Sequence, residues 1–237
     1  MTITVVTNVG GINANNETAV SISFGTVSVG NLIVVAGGKK YNTVNDQFVA
    51  GDCTKSAGTS TIGTVALDVV NGGDWGGAFG SNAIWSAIAT GAGTLTMEIG
   101  GNASDSYLQI SGLVIGGNWD ATRTEATNSA AVSSGASAAG SGNASSVGAA
   151  IFVGDFTASN YDVVTITPDG SFTAIYEDEA SNATFGSIYR IVTGATTDAA
   201  DWTIGTAHNG GHACVAVYKE VAGAPRQMMH LSKLMGV

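Results

Sequence analysis

The chain has 237 residues, of which 44% are hydrophobic and only 11% charged, and 8 Lys/Arg against 18 Asp/Glu give a formal charge of −10. That balance speaks against nucleic-acid binding, which draws on Lys and Arg to displace counterions from phosphate, and the hydrophobic content is too high for a disordered chain. No uninterrupted apolar run is long enough to cross a bilayer as a helix.

Short β-rich runs, separated by Gly, Asn, Asp and Ser, recur along the chain. In order they are Thr2–Thr7, Ala19–Phe24, Leu32–Ala36, Thr64–Val70, Ala83–Ala89, Thr94–Ile99, Tyr107–Ile115, Ala149–Val153, Val163–Thr167, Phe172–Glu177, Ser187–Val192, Trp202–Gly205 and His212–Lys219. Ala19–Phe24 alternates cleanly, with Val20, Ile22 and Phe24 on one side, as a strand with one buried face should. Leu32-Ile33-Val34-Val35 is apolar throughout and reads as a central strand. Between the halves, residues 128–146 are almost wholly Ser, Ala, Gly, Asn and Val. A strand through Ala126–Ser133 followed by a loose loop is expected there.

The halves echo each other. Val29-Gly30-Asn31-Leu32-Ile33-Val34-Val35 matches Val147-Gly148-Ala149-Ala150-Ile151-Phe152-Val153, and Phe79-Gly80-Ser81 with Ile84-Trp85 matches Phe185-Gly186-Ser187 with Ile188-Tyr189. Thr90-Gly91-Ala92 and Thr193-Gly194-Ala195 follow in the same order. The expected architecture is all-β: an antiparallel β-sandwich over residues 1–221, with repeated halves at roughly 18–120 and 121–221. A C-terminal arm over 222–237 follows it.

That arm differs from the body. It has no Asp or Glu, and interleaves Arg226, His230 and Lys233 with Met228, Met229, Leu231, Leu234 and Met235 behind Pro225. Six Lys/Arg against eighteen Asp/Glu leave residues 1–221 at a formal −12, while the arm carries +2. Pro225 suits a first helical turn, and Met228, Leu231, Leu234 and Met235 then fall near one face. So short a helix is marginal alone, so docking onto another chain is expected through Arg226, Met228, Met229, Leu231, Lys233, Leu234 and Met235.

Other constellations are weaker. His208-Asn209-Gly210-Gly211-His212 reads as a polar hairpin tip; its two histidines fall short of the four ligands of a closed zinc site. Glu177-Asp178-Glu179, with Asp162 and Asp169, reads as a solvated acidic loop before it reads as a calcium site. Trp75, in Gly73-Asp74-Trp75-Gly76-Gly77, and Trp119 are candidate platforms for a glycan. No nucleophile elbow, Cys–His pair or phosphate loop is recognisable, so no catalytic residue, metal site or cofactor is assigned. Cys53 and Cys214 are expected to be reduced. The N-terminus lacks the basic and apolar segments of a signal peptide, so assembly in a cytoplasm is expected.

Three pieces carry a resemblance: Ser28-Val29-Gly30-Asn31-Leu32-Ile33-Val34-Val35-Ala36, the strand pair around Ile84-Trp85 and Thr94-Leu95-Thr96, and Ile110-Ser111-Gly112-Leu113 leading to Trp119-Asp120-Ala121-Thr122. Ser187–Val192, Trp202-Thr203-Ile204 and Cys214-Val215-Ala216-Val217-Tyr218-Lys219 continue it. In strand order and turn spacing the chain resembles the β-sandwich structural proteins of tailed-phage virions and related bacterial surface modules. The resemblance implies a jelly-roll-like sandwich in a virion or adhesion setting, without enzymatic activity. The expected function is therefore capsid-surface decoration by a homo-oligomer that contacts the capsid protein through its termini, with no nucleic-acid or membrane partner. The alternative is a glycan- or receptor-binding module of a tail fibre or appendage. A β-sandwich hydrolase, a third reading, requires a carboxylate pair converging in a cleft.

Overall fold

The computed structural model describes residues 3–41, 46–74, 79–100, 107–160, 164–179 and 183–221. Its strands in the first half are β1 (Thr4–Asn15), β2 (Ala19–Val27), β3 (Leu32–Tyr41), β4 (Cys53–Ala57), β5 (Thr61–Ile62), β6 (Ala66–Asp74), β7 (Phe79–Gly91), β8 (Gly93–Gly100) and β9 (Tyr107–Gly116). The second half adds β10 (Thr124–Val132), β11 (Ala138–Gly140), β12 (Ala144–Ser146), β13 (Ala150–Asn160), β14 (Ile166–Pro168), β15 (Thr173–Asp178), β16 (Ala183–Val192), β17 (Thr196–Asp198), β18 (Asp201–Ile204) and β19 (His208–Lys219). One 3₁₀ turn, Ala50–Asp52, precedes β4.

The protein is an all-β, antiparallel structure in which the two halves wind alike. A large sheet runs β1-β9-β3-β7, with β6 and β5 both pairing β7. Its counterpart runs β10-β19-β13-β16-β15. In both, the first strand of the half pairs with the last, and the third main strand lies beside that last one. Each large sheet has a three-stranded cover: β2-β8-β4 in the first half, β11-β18-β14 in the second. The two echoing sequence runs occupy β3 and β13, and β7 and β16, which hold the same places in the two sheets. Strand β1 belongs to the first large sheet, paired with β9.

Three apolar layers result. Ile33, Val35, Trp85, Leu108, Ile110 and Val114 meet Val20, Phe24, Leu95, Met97 and Ile99 under the first cover. Phe152, Phe156, Ile188, Val215 and Val217 meet Ile166, Trp202 and Ile204 under the second. Between the large sheets lie Leu32, Val34, Ala36, Ile84, Leu113 and Ile115 of the first, against Ile151, Val153, Cys214, Ala216 and Tyr218 of the second. A strand buried on both faces cannot alternate apolar with polar residues, which is why Leu32–Val35 is apolar throughout. Each fully buried side chain of this size contributes about 1.5–3 kcal/mol.

The register fixes which loops share an end. Thr4 pairs with Gly116, Leu32 with Ile115 and Ala150 with Lys219, so these residues mark one end, the proximal end. Tyr41 pairs with Phe79, Lys40 with Tyr107 and Asn160 with His208, and these mark the distal end.

Candidate functional site

The described chain both enters and leaves at the proximal end. Its exit is fixed: Val221 N–H donates to Asn118 O (2.9 Å), Asn118 N–H to Glu220 Oε1 (3.0 Å), and Lys219 N–H to Arg123 O (2.9 Å). Asn118 and Arg123 belong to the link between the halves, so the last strand is strapped to that link where residues 222–237 begin. Beneath the strap, Arg123 donates from Nε to Ser86 Oγ (2.9 Å) and from a terminal nitrogen to Ser86 O (2.8 Å). Asp68 accepts from Thr124 Oγ1 (2.7 Å) and Tyr218 Oη (2.8 Å). These bonds join β6 and β7 to the start of β10 and the end of β19.

Apolar side chains are exposed on that same end. Val147 is 79% exposed, Val29 65% and Val6 55%, with Ile191 also open. Val29 and Val147 are the corresponding residues of the two sequence repeats. Among the described residues, only Ile12 and Val49 are further large hydrophobics exposed to this degree, and both lie toward the distal end. Glu125 accepts from Val147 N–H (3.2 Å) and lies 3.4 Å from Lys219 Nζ. The proximal end thus combines a hydrogen-bonded chain exit with exposed aliphatic side chains.

The residues expected to dock, Arg226, Met228, Met229, Leu231, Lys233, Leu234 and Met235, lie outside the described residues, as does Trp75. Trp119 is buried, 7% exposed, in the layer between the large sheets. The strand ends flanking Trp75, Asp74 and Phe79, are at the distal end, whereas Trp119 is proximal.

His208 and His212 do not flank a hairpin tip. Both lie within β19, because Asn209-Gly210 forms a bulge: Gly210 has φ 115°, and the register against β13 shifts between Ala158 and Asn160. Four residues of strand separate the two Cα atoms by about 13 Å, too far for a shared metal. His208 Nε2 donates to Ala136 O (2.9 Å) while its Nδ1 accepts from Gly210 N–H (3.1 Å). His212 is buried between the sheets, and that burial drops its pKa to about 4.

The acidic segment is divided among internal bonds. Asp178 Oδ2 accepts from Asn13 Nδ2 (2.6 Å) and Tyr176 Oη (3.2 Å), and Glu179 Oε1 accepts from Ile166 N–H (3.0 Å). Asp162 lies outside the described residues. No group of three or more His, Cys, Asp or Glu is placed to hold a metal among the described residues. Asp169 and Asp201 do line an open cleft of about 340 Å³ with Ala138, Gly140 and Thr203. Burial, then the charges of Asp198 and Asp169, raise the Asp201 pKa. Cys53 and Cys214 are both free, buried in different layers, and burial pushes the Cys53 thiol up to about 12.

One feature was invisible in the sequence: the distal half of the central layer is polar. Asn82 Nδ2 donates to Asp155 O (2.7 Å) and His212 O (3.2 Å), and Asn71 Nδ2 to Ala130 O (2.9 Å). Ser111 Oγ donates to Ser187 Oγ and Ser187 Oγ to Asp155 Oδ1, each at 2.7 Å. Side chains of the first sheet thus reach the backbone and side chains of the second. Asp155 is wholly buried, and loss of solvent raises its pKa well above 3.8 against the opposing effect of Ser187.

No protein-family model, curated protein or solved structure matches the chain.

Proposed function

We propose that the protein is a non-enzymatic structural component of a phage virion, a capsid-surface decoration protein held by its proximal end. The observation that carries the docking end is the coincidence there of both described chain ends, the hydrogen-bonded chain exit and four exposed aliphatic side chains. The virion setting rests on the resemblance in strand order and turn spacing. The strand order of each half, first beside last with a three-stranded cover, supports a jelly-roll-like description.

In this reading the acidic body keeps free subunits apart. The arm, with Arg226 and Lys233 among methionines and leucines, then grips the capsid protein or a second copy. Methionine side chains adapt well to a partner's contours. Replacing Val29 and Val147 together by aspartate tests the docking end without touching the core. Sedimentation velocity of the full chain is expected to show oligomer lost at concentrations where the unaltered protein assembles, with circular dichroism unchanged. Unchanged sedimentation would remove the valines from the interface.

A further inference from the structure

Near its end, strand β3 carries a lysine that neither the core nor the docking end explains. Lys39 is fully buried, yet it is a lysine, a residue almost never found so unless paired. Its Nζ lies 3.0 Å from Asp46 Oδ2 and 4.0 Å from Asp52 Oδ2. The same nitrogen sits 4.4 Å from the Phe48 ring centre and 5.2 Å from that of Tyr41, both buried rings. Burial lowers the Lys39 pKa, and Asp46 and Asp52 only partly offset this. Asp52 is held in place: its Oδ2 accepts from Val49 N–H at 2.9 Å.

A desolvated amine, a carboxyl in contact with it and a second fixed carboxyl are the components of an uncatalysed amide condensation. A lysine in apolar surroundings loses its proton more readily and becomes a nucleophile. Fixing the reacting groups in contact replaces a bimolecular encounter by an intramolecular one, with effective molarities on the order of 10⁵ M or more in well-oriented cases.

We propose that Lys39 and Asp46 condense to an intramolecular amide, with Asp52 carrying the protons. The Lys39 ammonium first passes a proton to the Asp46 carboxylate that it touches, a transfer helped by the burial of Lys39, which disfavours the charged amine. The Nζ lone pair attacks Asp46 Cγ. Asp52 takes the second Nζ proton and delivers it to the departing Asp46 oxygen. The Cγ–O bond breaks, the Nζ–Cγ amide remains, and one water leaves. Asp52 ends as it began, and no oxidant or reductant is consumed. The product closes a covalent ring from the distal end of β3 to Asp46. Such a closure restricts the unfolded chain. This chemistry is at the distal end and stands apart from the docking role of the proximal one.

Intact mass spectrometry in denaturant, on the full chain after incubation at neutral pH, tests the proposal. The expected mass is one water below that of the sequence, with fragment ions joining Lys39 to Asp46. Lys39→Arg is expected to retain that water, and Asp52→Asn to retain it or release it far more slowly. A full sequence mass in protein shown by circular dichroism to be folded would overturn the proposal. So would a lost water that maps elsewhere in the chain. An Asp52→Asn variant that loses water at the unaltered rate would overturn the proton-carrying role.

Discussion

Replacing Gly38 by leucine is expected to destabilise the protein by about 3 kcal/mol, the upper end of what overpacking a core costs. Gly38 lies on β3 in the central layer, facing β13 and β16. A Cβ there would fall 2.6 Å from the Phe185 ring, and nearer still to Thr157 Oγ1. Both neighbours belong to the second half, so the substitution strains the junction between halves and leaves each cover sheet alone. Its expected signature is a lower urea midpoint with the slope changed if the halves cease to unfold as one unit. Adding Phe185→Ala is expected to recover part of the loss, because the blocked volume is then released. Direct neighbours couple in such cycles. Additive losses would show that the two sheets do not meet at Gly38.

Asp155→Asn is expected to stabilise the protein at neutral pH and to do so less as the solution becomes acidic. The sign follows from the raised pKa of the buried carboxyl. In the folded protein Asp155 keeps its proton to higher pH than in the unfolded chain, whose value is near 3.8. Folding therefore takes up a proton between those two values, and stability falls as pH rises through that window, by at most about 1.4 kcal/mol per pH unit. Asparagine carries no charge, so its curve lacks that fall. The two proteins should match most closely below pH 4 and diverge upward until the folded Asp155 is fully ionised. Ser187 Oγ can still donate to the amide oxygen. His212, on the neighbouring strand, titrates with the opposite sign. Its depressed pKa costs stability as pH falls from about 6.5 toward 4, so the comparison is made between variant and parent at each pH. A difference in stability that is constant from pH 4 to 8 would contradict a buried, titrating Asp155.

The strands were legible because burial leaves a period in the sequence. Each of the thirteen predicted runs overlaps a strand, and Ala126–Ser133 corresponds to β10. The strands that escaped, β4, β5, β11, β12 and β17, are two to five residues long and mostly Ala, Ser and Thr, too short and too polar to show alternation. The repeat was legible in Val29–Val35 and Val147–Val153. That each half builds its own covered sheet, and that the sheets then stack, was not. The signal was present in runs such as Leu32–Val35, apolar at every position because both faces are covered. The polar seam was misleading for the same reason. Ser111, Asp155 and Ser187 look like solvent-facing residues of ordinary strands, but Ser111 bonds Ser187 across the layer, and Ser187 in turn bonds Asp155 on the strand beside it. Asn209-Gly210 misled because a dipeptide that favours left-handed backbone serves a bulge as well as a turn. The arm, read from its change in charge and composition, lies outside the described residues. The proximal valines were not legible, since isolated exposed aliphatics carry no sequence signature.

Whether the proximal end is an assembly interface is tested most directly by the solution mass of the full chain and of a version ending at Val221, measured by light scattering over a range of concentrations. An oligomeric full chain and a monomeric truncation are expected, with the same β-rich circular dichroism. Identical oligomers from both chains would contradict a part for the arm in assembly.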